Sequence, residues 1–138
     1  MSEANKELVR RFVKEWLNDH DAHAFRRICT HDYVAHWGAL GDAHGLDEVE
    51  RMERLVLDAF PDLQAETEWM IADGDLVVQR TRMTATHRGS WFGVEPTHKP
   101  VEWTAIEAYR IEGDKIAEQW LSEDWTRVLR QIDGLPAP

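Results

Sequence analysis

A carboxylate set in an apolar row is the residue of this chain best placed to do chemistry. From Val101 to Ile111 the residues alternate with the period of a β-strand and are rich in aromatics. One face of that strand carries Val101, Trp103, Ala105, Glu107, Tyr109 and Ile111, and only Glu107 is neither apolar nor aromatic. A buried carboxylate is costly unless it is paired, hydrogen-bonded or protonated. Two readings of Glu107 follow. It is a structural acceptor for a tryptophan or tyrosine, or it is a carboxyl of raised pKa that lines a cavity and exchanges protons there.

The turn at Glu112-Gly113-Asp114 extends the argument to the next strand. A two-residue loop at 113–114 pairs Ile111 with Ile116, Tyr109 with Glu118, Glu107 with Trp120, Ala105 with Ser122 and Trp103 with Asp124. Trp103, Glu107, Tyr109, Trp120 and Asp124 then share one face. Asp124 lies roughly 13 Å from Glu107 at ~3.3 Å per residue, too far to share a proton with it. Asp124 also reads as the cap of a final helix, a role compatible with acid/base work.

Among the histidines, His36 and His87 sit between apolar neighbours in sheet-like segments, and the others lie in polar stretches. No His-Glu-x-x-His or Cys-x-x-Cys spacing occurs, so no metal site is expected. The absence of a phosphate-cradling glycine loop and of a Gly-x-Ser-x-Gly elbow disfavours a nucleotide enzyme or a serine hydrolase. Of the seven tryptophans, Trp37, Trp91, Trp103 and Trp120 fall where they can line a pocket for a flat organic ligand, whereas Trp16 and Trp69 read as core.

These residues need elements to position them. Leu8, Val9, Phe12, Val13, Trp16 and Leu17 make the apolar stripe of a first helix that begins near Ser2. Asp21 can cap a short second helix holding Ala24, Phe25 and Ile28, with Cys29 as a small core residue. His31 to Trp37 reads as extended and Gly38 to Gly45 as a loop. A third helix runs from Leu46 to Ala59 with Val49, Met52, Leu55, Val56 and Phe60 inward, stopped by Pro61. The period then changes to two. Leu63, Ala65, Thr67, Trp69 and Ile71 alternate, Asp73-Gly74-Asp75 signals a hairpin, and Leu76 to His87 is a long strand. Arg80 and Arg82 point away from Gln79, Thr81, Met83 and His87. A loop from Arg88 to Pro100, a strand from Lys115 to Ser122, a helical turn from Trp125 to Gln131 and a tail from Gly134 to Pro138 complete the chain.

Helices followed by a meandering antiparallel sheet make an α+β domain spanning 1–138, with the helices covering one sheet face. The other face carries Glu66, Glu68, Arg80, Arg82, Glu102 and Arg110, and is either solvated or paired with a second subunit. With 16 basic and 26 acidic residues the net charge is −10. That argues against nucleic acid and anionic membranes as partners. One cysteine excludes an intrachain disulfide, and no signal-peptide pattern or membrane-length apolar run occurs, so the cytoplasm is the expected location.

Several segments in order carry a resemblance: Asn5 to Phe12, Tyr33-Val-Ala-His36 followed by Gly45, Ala59-Phe-Pro-Asp-Leu63, Thr86 to Thr97, Tyr109 to Trp120, and Asp124 with Leu129-Arg-Gln131. From about Asn5 to Gly134 the chain resembles the SnoaL-like polyketide cyclase (ester cyclase) family of the nuclear transport factor two-like superfamily. The resemblance implies a cone-shaped, curved antiparallel sheet wrapped by about three N-terminal helices, a cystatin-like α+β barrel. It implies an apolar pocket and a homodimer joined through the outer sheet face. It also implies acid/base chemistry without metal or cofactor: aldol-type cyclisation, isomerisation or a related lyase step on an apolar carbonyl compound such as a polyketide. Asp124 and Glu107 would carry the protons, with His36 and His87 beside them and Trp37, Trp91, Trp103, Tyr109 and Trp120 against the substrate. The chain departs from the family pattern at Gln119, where histidine is common, and at Glu95-Pro-Thr-His98. The alternative on the same fold is a non-catalytic small-molecule-binding or dimerisation domain.

Overall fold

The structure, a computed structural model, describes residues 2–136, so Ala137 and Pro138 at the end of the tail lie outside the described residues. Helix α1 (Ser2–Phe12) runs directly into a π-helical stretch, Val13–Asn18, and buries the expected stripe from Leu8 to Leu17. Helix α2 (Ala24–Ile28) leads into strand β1 (Cys29–His36). The stretch expected as a loop contains a 3-10 turn, Gly38–Leu40, and a short strand β2 (Asp42–His44). Helix α3 (Leu46–Ala59) precedes β3 (Gln64–Asp73), β4 (Leu76–Thr86), β5 (Pro100–Glu112) and β6 (Lys115–Glu123). Helix α4 (Trp125–Gln131) follows.

The six strands form one sheet in the order β2-β1-β6-β5-β4-β3, curved and unclosed. It is antiparallel except that β1 pairs parallel with β6, a pairing that strand period cannot reveal. The long connection between β1 and β6 permits it. The β5 face from Val101 to Ile111 is buried throughout, as its alternation requires. No helix among the described residues is long and apolar enough to cross a membrane.

Two bulges change which residues face the core. In β3 the register slips between Thr67 and Trp69. Ala65 stays inward, but Trp69 and Ile71 turn outward, Ile71 to 60% exposure, and Met70 and Ala72 take their places against the core. In β6, Ile111 pairs with Ile116 as expected, but Arg110 pairs with Glu118. Ile116 and Ala117 are both buried, so one extra residue is absorbed there. The expected pairings beyond this point are corrected by one residue: Tyr109 faces Gln119, Glu107 faces Leu121 and Ala105 faces Glu123. A slip of one residue exchanges the two faces of a strand.

Helix α3 also corrects its expected face. Leu55 is 62% exposed, and Glu53 is buried in its place between Val49 and Val56. The steps Val49 to Glu53 to Val56 to Phe60 follow the spacing of one helical line, which is the line turned toward the sheet.

Candidate active site

Glu107 is 1% exposed and sits where two amide side chains from neighbouring strands meet it. Gln79 of β4 donates from Nε2 to Glu107 Oε2 at 2.8 Å and to Tyr109 Oη at 3.1 Å. Thr67 Oγ1 donates to Gln79 Oε1 at 2.8 Å, which orients that amide. Gln119 of β6 donates from Nε2 to Glu107 Oε1 at 3.4 Å. Its Oε1 accepts the Tyr33 hydroxyl and the Trp37 indole N–H, both at 2.8 Å. Two donors on the carbonyl leave the amide nitrogen facing Glu107, so the direction of Gln119 is set by its partners. Burial pushes the Glu107 carboxyl up to about 7, with Tyr109, Gln79 and Thr81 partly countering it by hydrogen bonds to the charged form.

Glu107 lines a cavity of about 20 Å³ between the sheet and the helices, room for about one water. Its apolar walls include Phe12, Leu40, Met83 and Leu121. Trp37, Trp103 and Gln119 share the lining with three carboxyls, Glu53 of α3, Glu107 of β5 and Glu123 of β6. Among the described residues no cationic side chain lines it. Burial pushes Glu53 up to about 8, and the Glu107 carboxylate adds to the rise. Glu123 is half-buried, and it too is held well above the ordinary range, first by desolvation and then by Glu107 and Glu53. Among the described residues no group of three His, Cys, Asp or Glu side chains is arranged to hold a metal ion.

The residues named from sequence separate into three places. Glu107, Trp37 and Trp103 line the cavity, and Tyr109 supports Glu107 from within the core. His87 and Trp91 belong to an aromatic cluster around Phe60 that adjoins the cavity through Trp103. His87 Nδ1 accepts the Thr97 N–H at 3.1 Å, and burial lowers its pKa. His36, Trp120 and Asp124 lie elsewhere. The β6 bulge turns Trp120 to the outer sheet face, where it stacks on His36 at 5.6 Å. His36 Nε2 lies 2.7 Å from Glu118 Oε2, and that hydrogen bond raises the histidine pKa. Asp124 is exposed and accepts the Arg127 N–H at 3.1 Å, capping α4.

Glu53, Gln79, Gln119 and Glu123 join the site without having been singled out as site residues. Glu53 had a signal, its place on the line between Val49 and Val56. Gln79 had one too, as the neighbour of Thr81 and Met83 on the inward face of β4. Gln119 stood out only as a departure from the family pattern and Glu123 not at all, because the bulge alone turns them inward.

The model of the SnoaL-like polyketide cyclase family matches residues 7–132. Among solved structures, that of AclR from Streptomyces galilaeus, a candidate hydroxylase, is 31% identical with a TM-score of 0.87, over 100% of this chain and 86% of that one. IdmH from Streptomyces antibioticus, a candidate polyketide cyclase, is 27% identical with a TM-score of 0.82, over 94% of this chain and 98% of that one. A candidate SnoaL-like polyketide cyclase from Jannaschia sp. CCS1 is 21% identical with a TM-score of 0.89, over 98% and 95% of the two chains, and bears on the fold alone. A search among curated proteins finds no significant match.

Proposed function

The chain belongs to the SnoaL-like polyketide cyclase family, and on that premise we propose that it is a small-molecule enzyme using general acid/base chemistry on an apolar carbonyl compound such as a polyketide. The step is an aldol-type cyclisation, an isomerisation or a related lyase reaction. The observation that carries this reading is the clamped Glu107 carboxyl, buried at the cavity wall with a pKa near 7. Such a group holds both protonation states in useful amounts near neutrality, so it can take a proton from carbon and return one. The amide donors of Gln79 and Gln119 stabilise its charged form, which keeps it a base. The apolar walls exclude bulk water, which would otherwise quench an enolate, and must part to admit a substrate, because the space between them has room for about one water.

Turnover of a panel of apolar ketones and β-dicarbonyl compounds tests the assignment. Glu107→Gln should lower it by roughly 100-fold or more while the melting temperature stays at or above that of the wild type. Full activity in E107Q on a substrate that the wild type converts sinks the assignment. A second reading, a non-catalytic binding or dimerisation domain, is favoured by one observation, the small volume of the cavity. It predicts ligand binding that survives E107Q, with no conversion across the panel.

The same proposal includes a homodimer through the outer sheet face. Ile71, Val78, Ala108 and Trp120 are register neighbours there and make an apolar row across four strands. Trp69 and Ile106 stand beside it, exposed. A cytoplasmic site of action is consistent with the single cysteine, Cys29, which is buried and free.

A further inference from the structure

The chemistry above uses one carboxyl of the cavity. We propose that Glu53 is a second proton-carrying group of the site: a neutral carboxylic acid on the helix wall that gives its proton to the oxygen of a bound carbonyl while Glu107, on the sheet wall, takes the proton from carbon. The proposal rests on the reading of Glu107 as the base.

Position argues for it first. Glu53 occupies the buried line of α3 at 7% exposure, a place where an apolar residue would serve the fold better. Its carboxyl lines the cavity. Its one hydrogen-bonding neighbour is the Trp16 indole, which favours its charged form without offsetting the burial. The one titratable group that acts on it is Glu107 of β5, which raises it further; Glu53 in turn raises Cys29 and Tyr33 of β1 and Glu123 of β6, and none of these brings a positive charge. A carboxyl so placed is neutral unless something in the cavity meets it. The Trp103 indole lines the same cavity, and its buried Nε1 makes no full hydrogen bond, although it lies near enough to Glu123 to favour the charged form of that carboxyl. A ligand oxygen in the cavity would find the Glu53 O–H as its donor. Burial raises both carboxyls, and Glu53, unlike Glu107, has no amide donors to hold its charged form.

The step balances. The Glu107 carboxylate removes an α-proton, the C–H electron pair forms the C=C bond, and the carbonyl π pair moves to oxygen and takes the Glu53 proton, giving the enol. The enol carbon bonds to a second carbonyl carbon, whose π pair moves to oxygen and takes the proton now on Glu107, while the enol O–H returns its proton to Glu53. The product has gained and lost no atoms, and both carboxyls end as they began.

The test pairs a ligand-free readout with a chemical probe. Infrared spectra of protein labelled with ¹³C-carboxyl glutamate should show, at neutral pH, a protonated carboxyl that E107Q retains and E53Q loses. The probe is 2-tetralone in D₂O, whose α-deuteration reports enolisation by NMR. E107Q should abolish the exchange. E53Q should slow it at least about 10-fold with KM little changed, because the amide still donates a hydrogen bond. Glu53→Leu should raise KM as well. A spectrum unchanged in E53Q overturns the proposal, as does wild-type exchange in E53Q beside an inactive E107Q. If the wild type leaves 2-tetralone unexchanged, or E107Q exchanges it normally, the reading of Glu107 fails separately, and the infrared band alone then decides for or against Glu53. If E53Q does not fold, E53L carries the spectral comparison.

Discussion

At the scale of single residues, the site is a carboxyl whose proton affinity is set by its neighbours. Gln119 links the Tyr33 hydroxyl and the Trp37 indole to Glu107. Replacing it with leucine leaves two buried donors without an acceptor, at a cost of about 1–3 kcal/mol each. Urea unfolding should show that loss, and the pH–rate profile should move to higher pH, because Glu107 loses a donor to its charged form. An unmoved profile in a folded Gln119→Leu protein would count against the clamp. Glu107 was legible in the sequence because strand alternation survives along the whole of β5, so its neighbours disclose its face. Glu53 was harder to read. A glutamate on an amphipathic helix is ordinarily solvated, and only the side of α3 that meets the sheet decides otherwise. Gln119 was legible as a departure from the family pattern but not as a site residue.

At the scale of elements, the bulges and the helix ends position these side chains. The extra residue at Ala117 rotates β6, so that Gln119, Leu121 and Glu123 face inward and Trp120 faces out. The sequence contains both isoleucines that define the hairpin but no mark of the bulge between them. Both Ile116 and Ala117 are acceptable core residues, and their joint burial is a tertiary outcome. Asp124 serves the next element. Asp124→Ala should cost about 1 kcal/mol through loss of the α4 cap, with turnover per folded molecule unchanged. A large fall in turnover without loss of stability would return Asp124 to the chemistry. Gly89 ties the end of α3 to the loop before β5. Its N–H bonds to Ala59 O at 3.1 Å, and a Cβ there would stand 2.1 Å from Asp58 O. That atom is backbone and cannot swing aside. Gly89→Ala should therefore destabilise by about 1–3 kcal/mol in thermal melts and disturb the adjoining Phe60 cluster.

At the scale of the whole molecule, the buried carboxyls make stability depend on pH in an unusual direction. The ordinary glutamate value is 4.5, and folding raises Glu53 to about 8 and Glu107 to about 7. Between those values the folded state binds more protons than the unfolded one, so stability falls as pH rises. The contribution is complete below about 4.5, declines steadily over the range from there to about 7 to 8, and is gone above it. Denaturant melts across that range should show the decline, and E53Q should flatten it and exceed the wild type on the alkaline side. A wild type equally stable on both sides of the range would contradict the burial of these groups. The outer face makes its own prediction. Ile106→Lys should shift the protein from dimer to monomer in light scattering without altering its circular dichroism, and a wild type that is already monomeric at high concentration removes the dimer. Apart from the short strand β2, the order of helices and strands, the inward row of β5 and the family were all determined by the sequence alone, because they rest on local periodicity and on motifs in a fixed order. The parallel β1–β6 pairing, the face of α3 and the inward turn of β6 were decided by the tertiary structure. Each depends on which surfaces meet across the cavity, and a residue-by-residue period carries no information about that meeting.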